Sequence, residues 1–180
     1  MKVVSIVGMA GAGKSVVARV FEKGGFKKVR FGDITDEEVK KRGLELNEEN
    51  ERQVREQLRK EHGMAAYALL NLPQIDALLK SSNVVVDGLY SWEEYMLLKT
   101  RYGDKFSLVA VWASPSTRYK RLASRAVRPL TTAEAASRDK AEIENSHKGG
   151  PIAVADFTII NESSQEELEK EARRVLSVLK

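Results

Sequence analysis

Gly8-Met9-Ala10-Gly11-Ala12-Gly13-Lys14-Ser15 is the stretch that decides the fold. It fits the pattern G-x-x-x-x-G-K-[ST], and its flanks are what that pattern requires. Val3-Val4-Ser5-Ile6-Val7 ahead of it reads as a buried strand, and Val16-Val17-Ala18-Arg19-Val20-Phe21 behind it suits a helix. Glycines let the backbone curl so that successive N–H groups point inward at a polyphosphate. The helix N-terminus that follows adds its partial positive charge. On this reading Gly8, Met9, Ala10, Gly11, Ala12 and Gly13 form a cradle for ATP. Lys14 reaches the β- and γ-phosphates, and Ser15 Oγ ligates Mg²⁺.

The rest of the chain must supply a domain for this loop. Its 180 residues suit a single domain with a proper core. There is no cysteine, which excludes a disulfide framework and thiolate chemistry. No apolar run is long enough to span a membrane, and the N-terminus enters a strand directly, without a signal peptide. A cytoplasmic location is expected. The net charge of +4 suits an anionic ligand but does not call for nucleic acid.

Apolar runs alternate with helical patterns, which argues for a parallel α/β sheet. The predicted strands are 2–7, 28–31, 83–86, 106–113 and 157–160. Thr35 with Glu38, Ser91 with Glu94, Thr131 with Glu134, and Ser164 with Glu167 have capping-box spacing. Leu168, Ala172, Val175, Leu176 and Leu179 share one face of the last helix, which should pack on the sheet. Residues 33–80 hold about three helices between the second and third strands, too much for one crossover. Residues 121–151 are polar and basic. Both read as insertions over the phosphate loop, the first for an acceptor and the second as a lid.

Val84-Val85-Val86-Asp87-Gly88 is a β-branched run ending in an acid. An aspartate at the carboxyl end of a strand beside a phosphate loop can hold Mg²⁺ or orient the attacking oxygen. Asp33 follows the second strand in Phe31-Gly32-Asp33-Ile34. It is placed outside the next helix, since Thr35 is the better cap. It either accepts a proton from the acceptor or serves the turn.

Arg118, Arg121, Arg125 and Arg128 share one face of a helix that starts after Pro115 and is ended by Pro129. Arginine forks match the oxygens of a transferring phosphoryl group, and Arg121 and Arg125 lead as catalytic candidates. The alternative is a solvated basic face. Arg138 is a weaker lid candidate, with Asp139 beside it to hold it in place. Arg52, Arg55 and Arg59 share another face, where Glu48, Glu49, Glu51 and Glu56 neutralise them locally. Arg59 is the one to test against an acceptor phosphate. Tyr90, just after Asp87, is placed to line the acceptor site. Trp92, Tyr95 and Met96 read as packing. His62 and His147 are isolated, which leaves a zinc site or a serine–histidine triad without support. Asn161 closes the last strand, either near a nucleotide base or in a helix-entry turn.

With these pieces together the chain resembles the P-loop nucleoside-monophosphate-kinase superfamily. Within it, the chain is most similar to the archaeal adenylate-kinase-related proteins also described as dephospho-CoA-kinase-like. The likeness runs nearly end to end, through GMAGAGKS, FGDITDEEVKKRG, LRKEHG, VVVDG, ASPSTRYKRLASR, RDKAE and ADFTIINES. It implies a three-layer α/β/α sandwich on a five-stranded parallel sheet ordered 2-3-1-4-5, with a helical acceptor-binding insertion and a mobile arginine-bearing lid. It carries Gly11, Gly13, Lys14 and Ser15 over as the ATP·Mg²⁺ cradle, Asp33 as an acceptor-side residue, and Asp87 as a magnesium or acceptor-positioning residue. Arg121 and Arg125 become lid residues, and Asn161 lies near the adenine. Two places depart from the pattern. Tyr90 stands where this family usually has an arginine, and Glu162-Ser163 replaces the glycine in the usual tail of dephospho-CoA kinases.

The expected function is transfer of the γ-phosphoryl group from ATP·Mg²⁺ to a small acceptor, a nucleoside monophosphate first and dephospho-CoA second. The alternative is a nucleotide-binding regulatory ATPase without a small-molecule acceptor. A GTPase switch is disfavoured because no N-K-x-D or T-K-x-D motif is present. A nucleic-acid module is disfavoured because the arginine face carries only Tyr119. The chain is expected to act as a monomer or a homodimer.

Overall fold

The strand β1 (Val3–Val7) is buried along its whole length, as a parallel strand covered on both faces must be. The computed structural model describes residues 1–127 and 129–180. Four further strands flank β1: β2 (Lys27–Arg30), β3 (Val84–Asp87), β4 (Phe106–Trp112) and β5 (Phe157–Ile160). All pair in parallel, in the order β2-β3-β1-β4-β5. The predicted runs fall on these five strands, with shifts of about one residue at their ends.

Side chains along β1 alternate between two cores. Val3 and Val7 join Val29, Val86, Leu108 and Ala110 on one face. Val4 and Ile6 join Val85, Val109, Val111 and Ile159 on the other. The second face is covered by α1 (Lys14–Lys23) and α9 (Gln165–Leu179), whose Leu168, Ala172, Val175, Leu176 and Leu179 are buried there as expected. The first face is covered by helices on the other side. Between β2 and β3 run α2 (Asp33–Lys41), α3 (Glu48–His62) and α4 (Ala66–Leu78), and α5 (Trp92–Tyr102) follows β3. Then come α6 (Pro115–Ala123), α7 (Thr132–Glu144) and the short α8 (Gly149–Ala153).

Capping decides where most of these helices start. Ser91 Oγ accepts from the Glu94 N–H at 3.0 Å, and Thr131 and Glu134 form a complete capping box. Ser164 caps α9 in the same way. Thr35 departs from expectation. Its hydroxyl is buried against the Tyr67 hydroxyl at 2.5 Å, so it is not free to cap. The helix instead starts with Asp33, which therefore lies inside α2 rather than before it.

The arginine helix is also shorter than expected. It ends at Ala123, where the Ser124 N–H donates to the Lys120 carbonyl. The chain then turns back so that the Leu130 N–H meets the Leu122 carbonyl at 3.2 Å. Leu122 and Leu130 are buried with Ala10 and Ala135, and closing this small core costs the helix its last turn. Arg125 therefore leaves the helical face and is exposed, and Arg128 lies outside the described residues.

Candidate active site

The phosphate loop emerges from the central strand and is held close on two sides. Gly8 has φ +154°, and a Cβ there would collide with the Val111 carbonyl of β4. Gly13 has φ +106°, and a Cβ there would strike the Asn161 amide beyond β5. Only glycine fits both the backbone angle and the space. Gly13 is the N-cap of α1 and no side chain caps that helix. Its first N–H groups therefore lack an intrahelical partner and form a positive end suited to an anion. Lys14 Nζ donates to the Gly8 carbonyl at 2.8 Å and the Met9 carbonyl at 3.1 Å, folded back across the loop. Burial, and next the charge of Lys148, lowers this ammonium to about 8.

Asp87 ends β3, in register with Ile6 of β1 and Arg30 of β2. It is 6 % exposed, and its negative charge acts on Lys14. A hydroxyl on Ser15, a carboxylate on Asp87 and an open helix end are the hard oxygen donors and anion cradle that a Mg²⁺–polyphosphate needs.

Above the loop stands α7. Arg138 Nε donates to Glu142 Oε1 at 3.3 Å, and Lys148 Nζ lies 2.8 Å from Glu142 Oε2. Burial by itself would raise Glu142, but Lys148, Arg138 and Lys14 outweigh it and hold the carboxyl down at about 2. Lys148 is 1 % exposed and sits over the Tyr90 ring, 5.1 Å from its centroid. Arg138 also reaches Glu48 of α3 at 3.2 Å, so α7 bridges the loop and the helices after β2. Asp139 does not hold Arg138. It pairs with Arg118, because adjacent helical residues point about 100° apart.

Of the other candidates, Arg121 lies against the end of β5. It donates to the Asn161 carbonyl at 3.1 Å and to Asn161 Oδ1 at 3.3 Å. Asn161 Nδ2 in turn donates to the Ala12 carbonyl at 2.8 Å, tying the β5 exit to the phosphate loop. Asp33 is not brought to Lys14. Its exposed carboxylate pairs with Arg30 at 2.6 Å, as does Asp36 at 2.8 Å.

A second polar group lies between α3, α4 and α5. Arg52 and Arg55 are neutralised locally by Glu56 and Glu48, as their spacing suggested. Arg59 differs. Its guanidinium stands 5.9 Å from the Tyr67 ring centroid, and its buried Nε makes no hydrogen bond among the described residues. Tyr67 meets Tyr90 edge-on at 5.3 Å. Glu94, fully buried, accepts from the Tyr90 N–H at 2.7 Å, and burial raises it to about 7. Burial also raises the Tyr90 hydroxyl, keeping it neutral.

The sequence does not mark Glu142, Lys148 or Glu94 as site residues. Glu142 has two visible signals, its i, i+4 spacing from Arg138 and its place at the end of RDKAE. Lys148 sits in His147-Lys148-Gly149-Gly150, which matches no motif, and Glu94 reads only as a helix-capping residue.

A family model described as an AAA domain matches residues 4–147. A UPF0200 protein from Thermococcus kodakarensis is 40% identical over 178 residues, which span 97% of this chain and 96% of that protein. A UPF0200 protein from Hyperthermus butylicus is 38% identical over 179 residues, 98% of this chain and 94% of the relative. The chain belongs to the UPF0200 family.

This UPF0200 protein also shares its fold with solved structures of low identity. TT1252 from Thermus thermophilus matches with a TM-score of 0.66 at 18% identity, covering 99% of this chain and 98% of that one. A shikimate kinase from Bacteroides thetaiotaomicron matches at 0.62 with 14% identity and the same coverage. A gluconokinase from Sinorhizobium meliloti matches at 0.61 with 17% identity, covering 99% and 93%. The sheet order and phosphate loop of the UPF0200 chain are thus those of the P-loop kinase fold. Among the described residues no helix is long and apolar enough to cross a membrane.

Proposed function

We propose that this UPF0200 protein is a phosphotransferase that moves the γ-phosphoryl group of ATP to a small anionic acceptor. The observation that carries this reading is the convergence of Arg138 and Lys148 on the side of Glu142, over the lysine of the phosphate loop. Cations brought over Lys14 from a separate helical segment are what transfer needs: charge for the transition state and exclusion of water. A nucleotide that is only held needs neither.

ATP binds the cradle 8–15, with Lys14 on its outer phosphates. Ser15 Oγ and the Asp87 carboxylate hold Mg²⁺, which when bound neutralises charge on those phosphates. Residues 121–151 act as the lid, with Arg121, Arg125 and Arg138 as its arginines. Residues 33–80 dock the acceptor. Arg59, with a buried unpaired N–H beside Tyr67, receives the acceptor's anionic group. A nucleoside monophosphate is the first choice and dephospho-CoA the second; both carry such a group. Asp33 is left as an acceptor-side residue that releases Arg30 when the acceptor arrives. The reaction takes place in the cytoplasm.

The test is a phosphotransfer assay with ATP and Mg²⁺ across nucleoside monophosphates, dephospho-CoA and hydroxy-acids such as shikimate and gluconate. One acceptor should be phosphorylated stoichiometrically, and Lys14→Ala should abolish this. ATP hydrolysis that no acceptor alters would replace the proposal with a regulatory ATPase.

A further inference from the structure

Two cations contact one carboxylate over the phosphate loop, and a third, Lys14, feels its charge. Glu142 Oε2 lies 2.8 Å from Lys148 Nζ, and Glu142 Oε1 accepts from Arg138 Nε at 3.3 Å. Lys14, on the loop below, interacts with all three of these groups. Lys148 is among the largest fully buried side chains of the protein. A lysine taken out of water needs an anion at contact distance, and here Glu142 supplies it.

We infer that Arg138 and Lys148 complete, with Lys14, a site for the terminal phosphoryl group of the nucleotide, and that the Glu142 carboxylate fills this site until a triphosphate displaces it. The inference rests on the reading of Lys14 as the phosphate lysine. Carboxylate and phosphoryl oxygens make the same charge-assisted hydrogen bonds to ammonium and guanidinium groups. The phosphoryl group brings more charge and a third oxygen, which suits three cations better than one carboxylate does. Both anions cannot hold the same cations at contact distance, since they repel each other where water is excluded.

The lid can make this exchange without coming away. Helix α7 is anchored separately through Asp139, which takes both forks of Arg118. Glu142 therefore needs only to change rotamer while Arg138 and Lys148 remain. A diphosphate does not reach this site, so Glu142 keeps its place over ADP. The carboxylate thus competes with the terminal phosphoryl group alone, weakening triphosphate binding relative to ADP, and returns to the cations once that group has left.

Titration calorimetry on the full chain with Mg²⁺ tests this, using ADP and the β,γ-methylene analogue of ATP. The readout is the ratio of the two affinities. Glu142→Gln keeps the side chain's size and removes the competing charge, and should raise the preference for the triphosphate by roughly tenfold or more. Lys148→Met should lower that preference by roughly tenfold or more, and Lys148→Arg should restore most of it. An unchanged or reduced ratio in Glu142→Gln overturns the inference. If that variant does not fold, Glu142→Asp, with the charge retained but the reach shortened, should also raise the ratio, and an unchanged ratio there overturns it. Failure of the unaltered protein to bind either nucleotide would instead refute the phosphate-loop reading on which the inference rests.

Discussion

Arg118 and Asp139 are joined fork to fork, Nη1 to Oδ1 at 2.8 Å and Nη2 to Oδ2 at 2.6 Å. The same guanidinium donates to the Ala10 carbonyl of the phosphate loop at 3.1 Å and to the Ala113 carbonyl at 3.0 Å. One buried side chain thus fastens α7 to the loop it covers. The arginine that the helical spacing placed on a phosphate-binding face is an internal clamp.

Arg118→Ala should therefore act on stability first. It leaves the Asp139 carboxylate buried without its partner, which costs about 3–5 kcal/mol. For a chain of this size that lowers Tm by roughly 10 °C, readable by circular dichroism. A change below about 1 kcal/mol would show that α7 does not depend on this pair.

Arg121 joins the end of β5 to α6 through Asn161, and Asn161 holds the loop at Ala12. If Arg121 turns to the phosphoryl group during transfer, Arg121→Ala should lower kcat by about 10²-fold or more, with a smaller effect on ATP affinity. Arg125→Ala should do the same if closure brings that exposed arginine in. Steady-state kinetics with the identified acceptor separate these effects, and unchanged turnover returns each arginine to a structural or surface role.

Arg59 should govern the acceptor and not the nucleotide. Arg59→Ala is expected to raise the acceptor KM by roughly 10- to 100-fold, the worth of one or two charge-assisted hydrogen bonds. The KM for ATP should stay within about twofold. Equal changes in both would mean that Arg59 supports the fold through Tyr67 rather than touching the acceptor.

Glu94 should make stability depend on pH. Its folded value is about 7 against an ordinary 4.5, with burial as the first cause and with the Tyr90 N–H, Arg59 and Lys148 opposing it. Between these values the folded state binds more protons than the unfolded chain, so stability falls as pH rises. The contribution is complete below about pH 4.5 and lost above about 7, a difference on the order of a few kcal/mol. Glu94→Gln keeps an oxygen for the Tyr90 N–H and removes the titration. Urea melts from pH 5 to 8 should show the unaltered protein losing stability relative to this variant. Parallel curves would mean that Glu94 is ionised throughout.

Period and punctuation made the sheet legible. The β-branched runs, the caps at Ser91, Thr131 and Ser164, and the glycines of the loop are local signals, and local sterics and hydrogen bonding enforce them. Thr35 and the arginine helix went differently because distant contacts outweighed local ones. Tyr67, 32 residues away, takes the Thr35 hydroxyl. The buried Leu122 and Leu130 turn the chain before Arg125.

The phosphate loop, the strand that carries it and the acid that ends β3 follow from local sequence alone. Each lies within a few residues of the features that dictate it. The tertiary structure alone decided what faces Lys14. Arg118 and Asp139 are 21 residues apart, and Lys148 lies more than a hundred residues from the loop, with no motif to mark it. Charges at that separation meet only when the sheet and α7 are in place. Their strength there comes from burial, which a linear pattern does not record.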